Sequence, residues 1–222
     1  MELVAAIRSR RMVRRFAPEP AVPLTVVEDL VALAIRAPSA GFTQGWDFVA
    51  LLTPAQRDRF WKAATACSDS PDPWLAGVRA APAVLLCLAN PTAYLDRYAE
   101  PDKGWSDRSL EHWPIPYWDT DTAMAAMLIL LGAQDLGLGA LFFGVPAACH
   151  DSVRSALAIP TDSRIVGVIA LGHEERRVRS PSLRRGRRGV GEVLHVGSFG
   201  ASAGTSTTAS GEDGVIRPPA ST

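Results

Sequence analysis

The sequence predicts one folded domain of the α+β or α/β class followed by a polar tail, and three observations carry that reading. Short apolar runs of strand length at 46–52, 83–89, 141–143 and 165–171 alternate with longer segments of helical period. Two of those longer segments open on Thr-x-x-Glu or Thr-x-x-Gln, the reciprocal capping pattern of a helix start. From Ser198 the composition changes: 17 of the last 25 residues are Ser, Gly, Ala or Thr, too little apolar surface to offset the entropy of ordering them. The expected organisation is a domain at 1–197 and a disordered tail at 198–222.

Residues 3–9 read as a short helix entering an arginine cluster, and Phe16-Ala17-Pro18-Glu19-Pro20 then ends regular structure. Thr25-Val26-Val27-Glu28 predicts a capping box, and Val27, Leu30, Val31 and Ala34 form one face of the helix that follows, to about Ala37-Pro38. A loop of small residues leads to a strand at Trp46–Leu52. Thr53-Pro54-Ala55-Gln56 caps a further helix to about Ala66, and Pro71–Pro73 is a loop. Ala83–Ala89 is continuously apolar, as a strand buried on both faces should be. Residues 90–118 have no clear period and predict a long, partly helical excursion. Asp119 or Thr120 is then the expected cap of a long apolar helix ending at Gly137, buried in the core or against a partner chain. A strand at Leu141–Phe143, a helix at Pro146–Ala158 and a strand at Ile165–Leu171 complete the domain.

The chain has 222 residues, 47% hydrophobic and 21% charged, with 23 basic residues against 23 acidic ones. Such a composition excludes a wholly disordered chain and allows a sizeable core. The apolar stretch from Ala123 to Leu131 is far short of the roughly 20 residues of a membrane span, so no membrane partner is expected. The N-terminus reaches Arg8 without an apolar leader core, and a cytoplasmic protein is the expectation. Cys67, Cys87 and Cys149 are odd in number and widely spaced, which predicts reduced, mostly buried thiols rather than a disulfide or a metal site. Of the 23 basic residues 21 are Arg; five lie between Arg8 and Arg15 and seven between Arg176 and Arg188.

Several chemistries are absent from the sequence. Neither Gly137-x-Gly139 nor Gly189-x-Gly191 continues to the third glycine of a dinucleotide fingerprint. Cys149-His150-Asp151 cannot form a triad, because adjacent helical residues point in different directions. The first arginine cluster suits a phosphate, whose oxygens match the forked donors of guanidinium; a solvated basic face is the alternative. In Ala37–Trp46 the small residues permit close approach of a flat ligand, and Gln44 can donate and accept at a heterocycle edge; a plain chain turn with Trp46 as a core plug is the alternative.

Arg10-Arg11-x-x-Arg14 with Phe16, Ala37-Pro38-Ser39 with Gln44-x-Trp46, Trp118-x-x-Asp121, Leu136-Gly137-Leu138-Gly139, Leu171-Gly172-His173 and a terminal arginine cluster follow one another in an order that resembles the nitroreductase family of FMN-dependent flavoproteins. The resemblance spans about residues 3–196. It implies an α+β fold, with a central mixed, mostly antiparallel sheet flanked by helices, in an intertwined homodimer holding FMN at the subunit interface. It assigns the FMN phosphate to Arg10, Arg11 and Arg14 with Arg185 and Arg187, and Met12, where the family usually has Ser, to a backbone contact. Pro38, Ser39, Ala40 and Gln44 are expected to reach the flavin from the opposite subunit, and the Phe143-Gly144 amides to lie near its reactive edge. The family's Asn and second Pro are here Phe42 and Gly45; Phe42, Tyr117 and Trp118 are the expected substrate contacts, within an acceptor wall that includes Trp105 and Trp113.

The activity implied is transfer of hydride from NAD(P)H through FMN to a nitroaromatic, quinone or enone-like acceptor, with no catalytic side chain and no metal. A family branch that cleaves the flavin or oxidises a ring, and a non-enzymatic anion binder, are the alternatives. Zero net charge and the lack of aromatics among the arginines argue against a nucleic-acid partner.

Overall fold

The computed structural model describes residues 1–67 and 73–201. Contacts divide the chain into two compact units, Met1–Val178 and Arg179–Thr222. The first unit contains helices α1 (Leu3–Ser9), α2 (Leu24–Ala34), α3 (Pro54–Thr65), α4 (Pro73–Arg79), α5 (Pro91–Ala99), α6 (Tyr117–Asp135) and α7 (His150–Leu157), and strands β1 (Trp46–Leu51), β2 (Ala83–Ala89), β3 (Gly139–Phe143) and β4 (Arg164–Gly172). The second contains a 3-10 turn at Pro181–Arg185 and the short α8 (Val190–Val193). Of the expected tail, residues 202–222 lie outside the described residues, as do 68–72, with most of the expected loop at 71–73.

The strands form one sheet in the order β1-β2-β4-β3, every neighbouring pair antiparallel. The class is α+β. β2 is buried along its whole length because its alternate side chains serve two cores. Val84, Leu86 and Leu88 meet Phe60 and Trp61 of α3 and Val78 of α4, while Ala83, Leu85 and Cys87 meet Leu30 of α2 and Ile129 of α6. In β4, Val168 and Ala170 share the first core, and so does Ile165. A register shift against Cys87/Leu88 reverses the alternation between them, the usual effect of a bulge.

The Thr53–Gln56 box forms as read, with the Gln56 N–H donating to Thr53 Oγ1 at 3.3 Å and the Thr53 N–H to Gln56 Oε1 at 2.9 Å. Two other starts differ. α2 begins one residue before Thr25, with extended Pro23 accepting the first helical N–H groups, so Thr25 and Glu28 make no capping box. α6 begins at Tyr117 after Pro116, and Asp119 sits in its first turn paired with Arg164 through two contacts of 2.9 and 3.0 Å. Its end is as expected: Gly137 takes φ +72° and the Leu138 N–H returns to the Ala133 carbonyl at 2.8 Å. The inner face of α6 is buried, while Met124 and Met127 are exposed on the other.

The cysteine reading is corrected. Cys67, just after α3, and Cys149, just before α7, form a disulfide, and Cys87 is the free, buried thiol. A sequence separation of 82 hides this pairing from spacing arguments; packing of α3 against α7 brings the two together. No described helix is long and apolar enough to cross a membrane.

Candidate functional site

The first arginine cluster lies along the edge of β3. Met12 bridges Ala140 in parallel, the Val13 N–H donates to the Ala140 carbonyl at 2.9 Å, and Phe16 bridges Glu174 beyond the end of β4. Val13 and Phe16 are buried anchors, which leaves the arginines between them to project. Two glycines allow this close approach. A Cβ on Gly139 would stand 2.8 Å from Val13 Cγ2, and one on Gly77 of α4 would stand 2.5 Å from the Arg14 carbonyl oxygen. Met12 contributes more than backbone: its Sδ accepts the Phe142 N–H at 3.4 Å.

The arginines are unequal. Arg11 pairs with Glu174, Arg15 with Glu175 at 3.3 Å, and Arg14 Nη1 donates to the Met12 carbonyl at 3.1 Å. Arg10 is different. Its Nη1 is buried and has no hydrogen-bond partner, a state that costs about 1–3 kcal/mol when a donor is left unsatisfied. Arg185 and Arg187 belong to the second unit, where both are exposed and make no side-chain hydrogen bond among the described residues.

The 38–45 loop is built from unusual backbone. Gly41, Phe42 and Gln44 have φ of +63°, +54° and +55°, and the left-handed region costs a non-glycine residue about 1–2 kcal/mol. Hydrogen bonds hold the shape. Ser39 Oγ accepts the Gln44 N–H at 2.9 Å, Asp121 Oδ2 accepts the Ala40 N–H at 2.8 Å, and Arg97 Nε donates to the Gly41 carbonyl at 3.0 Å. Gly45 stands where the Tyr94 ring comes closest; a Cβ there would lie 2.5 Å from Tyr94 Cε2, so the larger residue of the family pattern has no room. Phe42 stands out of this loop 76% exposed, and Pro38 and Gln44 are exposed beside it.

Phe143 ends β3 with its ring stacked on Trp61 at 5.7 Å, and Gly144 beyond it is exposed, with open space where a Cβ would stand. Cys149, His150 and Asp151 each have a separate partner: the disulfide, the Val145 carbonyl at 3.1 Å and Arg154 at 2.9 Å.

The aromatic residues of the excursion form a third core cluster. Tyr94, Trp113 and Trp118 are buried in it, Trp118 at 7% exposure, with Tyr98 and Trp105 packed against it. Tyr117, 42% exposed, is the ring of that wall that faces outward. Trp105 stacks on His112, whose Nε2 lies 2.9 Å from Asp107 Oδ1 and holds that carboxyl below its usual range.

Asp121 and Tyr94 matter more than sequence reasoning recognised. In the sequence Asp121 stands out only through the Trp118-x-x-Asp121 motif; Tyr94 and Arg97 carry no signal until α5 is seen against the loop. Burial, then the hydrogen bond to Asp121, pushes the Tyr94 hydroxyl above its usual range.

Strand order separates these parts. The 38–45 loop enters β1 at one edge of the sheet and the arginine segment lies on β3 at the other, so with neighbouring strands about 4.8 Å apart they are divided by roughly 14 Å of sheet.

A sequence model of the Nitroreductase family matches residues 7–173. The chain belongs to this family. Among curated relatives, an NADH dehydrogenase of Thermus thermophilus is 30% identical over 192 residues, covering 78% of this chain and 87% of the relative. A Methanothermobacter thermautotrophicus protein named for NADH dehydrogenase and NAD(P)H nitroreductase is 27% identical over 176 residues, 78% of each chain. A nitroreductase family protein from Clostridium difficile superposes with a TM-score of 0.65 at 19% identity, covering 90% of this chain and 100% of the other. A Desulfovibrio desulfuricans protein described as a nitroreductase in complex with FMN gives 0.63 at 23%, covering 87% and 95%. These two structures establish the fold, and family membership makes this chain a nitroreductase-type oxidoreductase.

Proposed function

We propose that this nitroreductase-type protein binds FMN and catalyses hydride transfer from NAD(P)H, through the flavin, to a nitroaromatic, quinone or enone-like acceptor. The observation that carries the reading is the buried Arg10 Nη1, the one buried guanidinium nitrogen without a partner among the described residues. A phosphate oxygen is an acceptor that suits it, since charge-assisted bonds from guanidinium to phosphate are roughly twice as strong as neutral ones. Arg14 and Arg11 extend the same basic edge, with the Met12 backbone between them; Arg185 and Arg187 are assigned to the phosphate by the family resemblance alone.

At the other edge, Pro38, Ser39, Ala40 and Gln44 offer a rigid loop to the flavin ring. Ser39 Oγ is committed to the Gln44 N–H, so Ser39 shapes the loop, while the exposed Gln44 amide is left to meet a heterocycle edge. The open backbone at Phe143-Gly144 would admit the reactive edge, and exposed Phe42 and Tyr117 would cover the acceptor. Bound FMN would supply acceptance and delivery of hydride.

The same geometry supports a homodimer. Loop and arginine segment stand on opposite sheet edges, so a second copy would have to bring its loop to the first copy's arginines. Leu3, Val4 and Ile7 of α1, Leu33 of α2, and Met124 and Met127 of α6 itself are exposed apolar side chains, and α1 and α2 both pack on α6; such surface suits burial against a second copy. The test is the content and reduction of bound flavin in the purified protein. FMN bound one per chain and reduced by NADH or NADPH without oxygen supports the reading; a chain that neither carries FMN nor takes it up overturns it.

A further inference from the structure

Asp121 is the buried carboxylate of the described residues, 1% exposed near the start of α6, and no cation pairs with it there. Its two oxygens are used very differently. Oδ2 accepts both the Ala40 N–H and the Tyr94 hydroxyl, each at 2.8 Å, whereas Oδ1 has only Thr120 Oγ1 at 3.4 Å. Three elements therefore meet at one oxygen: the 38–45 loop, α5 and α6.

α5 then supports the rest of the loop. The Tyr94 ring lies against Gly45, the Tyr98 ring against Gly41 where a Cβ would stand 2.8 Å from Cε2, and Arg97 Nε holds the Gly41 carbonyl at 3.0 Å. Arg97 in turn grips Asp102 at 2.6 and 2.7 Å. A loop with left-handed Gly41, Phe42 and Gln44 persists only where its surroundings over-determine it. A buried carboxylate held by neutral donors is an expensive way to fill a core, which directs attention to what it holds.

We propose that Asp121 is the positioning residue of the flavin-edge loop, and that by joining Ala40 and Tyr94 at one oxygen it sets where Phe42 and Gln44 stand and so which acceptors fit. This rests on the FMN reading above. Asp121 touches neither flavin nor acceptor; it acts through Ala40.

The geometry supplies its own control. Both bonds converge on one oxygen, so an Asn whose carbonyl takes that place keeps both while removing the charge. The full chain is compared with D121N, D121A and Y94F by hydrogen exchange of the 40–45 amides without flavin, by FMN titration, and by kcat and KM for a small and a bulky quinone. D121A is expected to speed exchange at 40–45, to weaken FMN at least tenfold and to change the ratio of kcat/KM between the two quinones. D121N is expected to restore all three to within about threefold. Y94F, which keeps the Ala40 bond, is expected to fall between them, and it carries the test should D121A not fold.

Unchanged exchange and FMN affinity in D121A, or in Y94F if D121A is unfolded, overturn the proposal. So does a D121N as impaired as D121A, because charge rather than position would then be responsible. If the unaltered chain binds no FMN, the functional reading fails instead, while exchange at 40–45 still decides whether Asp121 holds the loop.

Discussion

Arg10→Ala should leave flavin-free stability nearly unchanged while it weakens FMN binding, and the structure gives the reason for each. The Arg10 guanidinium has a buried Nη1 with no partner, so in the flavin-free protein it contributes an unsatisfied donor rather than a bond. Removing an unsatisfied donor relieves about 1–3 kcal/mol, offset by the lost packing of the half-buried stem, and the net change in flavin-free stability should lie within about 1 kcal/mol of zero. The FMN complex should lose a charge-assisted bond of about 1.5–3 kcal/mol, a roughly 10- to 150-fold weaker Kd. Urea denaturation of the flavin-free protein gives the first quantity and quenching of FMN fluorescence the second. Riboflavin, which lacks the phosphate, is the control, and its affinity should not change. Arg10→Ala combined with Arg185→Ala should abolish most FMN occupancy. An unchanged FMN Kd, or equal losses for FMN and riboflavin, would refute the assignment of Arg10 to phosphate.

Gly45→Ala should destabilise the fold by about 1–3 kcal/mol through overpacking, because the new methyl meets the Tyr94 ring at 2.5 Å and that ring is fully buried and tied to Asp121; a thermal melt with unchanged midpoint contradicts this. Burial pushes the Cys87 thiol from 9.0 up to about 12, so above pH 9 the unfolded chain releases a proton that the folded one keeps. Stability should therefore fall by up to about 1.4 kcal/mol per pH unit between pH 9 and 12, and Cys87→Ala should flatten that slope in denaturation curves. Tyr94, likewise raised above 10.0, adds a loss that starts near pH 10 and is missing in Tyr94→Phe. Cys149→Ser or a thiol reductant should cost roughly 2–4 kcal/mol, since the Cys67–Cys149 bridge closes a long loop; equal denaturation midpoints with and without reductant would show that it does not constrain the chain.

Elements set by local chemistry were legible in the sequence. β2 announced itself by seven consecutive apolar residues, the α3 start by Thr53-x-x-Gln56, and the α6 end by Gly137. Features set by tertiary contact were not. Pro23 and Pro116 pre-empted the starts read at Thr25 and at Asp119 or Thr120, because a proline whose φ is already fixed ends the preceding segment without a side-chain cap. The disulfide depends on α3 packing against α7, which no spacing of cysteines reveals. Within the candidate site, the residues that make it were visible as motifs, while those that hold it were not: Tyr94 and Arg97 gain meaning only from α5 lying against Gly41 and Gly45. Gly45 stands where the family pattern has proline, and the Tyr94 ring occupies the space beside it, a fit that no spacing in the sequence reveals.

The role proposed for the arginines on the β3 edge is to hold the phosphate of a flavin that NAD(P)H reduces. One anaerobic titration tests it most directly: the flavin-free protein is mixed in turn with FMN and with riboflavin, and each mixture receives NADH or NADPH. FMN should bind stoichiometrically, riboflavin at least tenfold more weakly, and at least one nicotinamide should bleach the bound FMN. Equal affinity for the two flavins, or bound FMN that neither nicotinamide reduces, would contradict it.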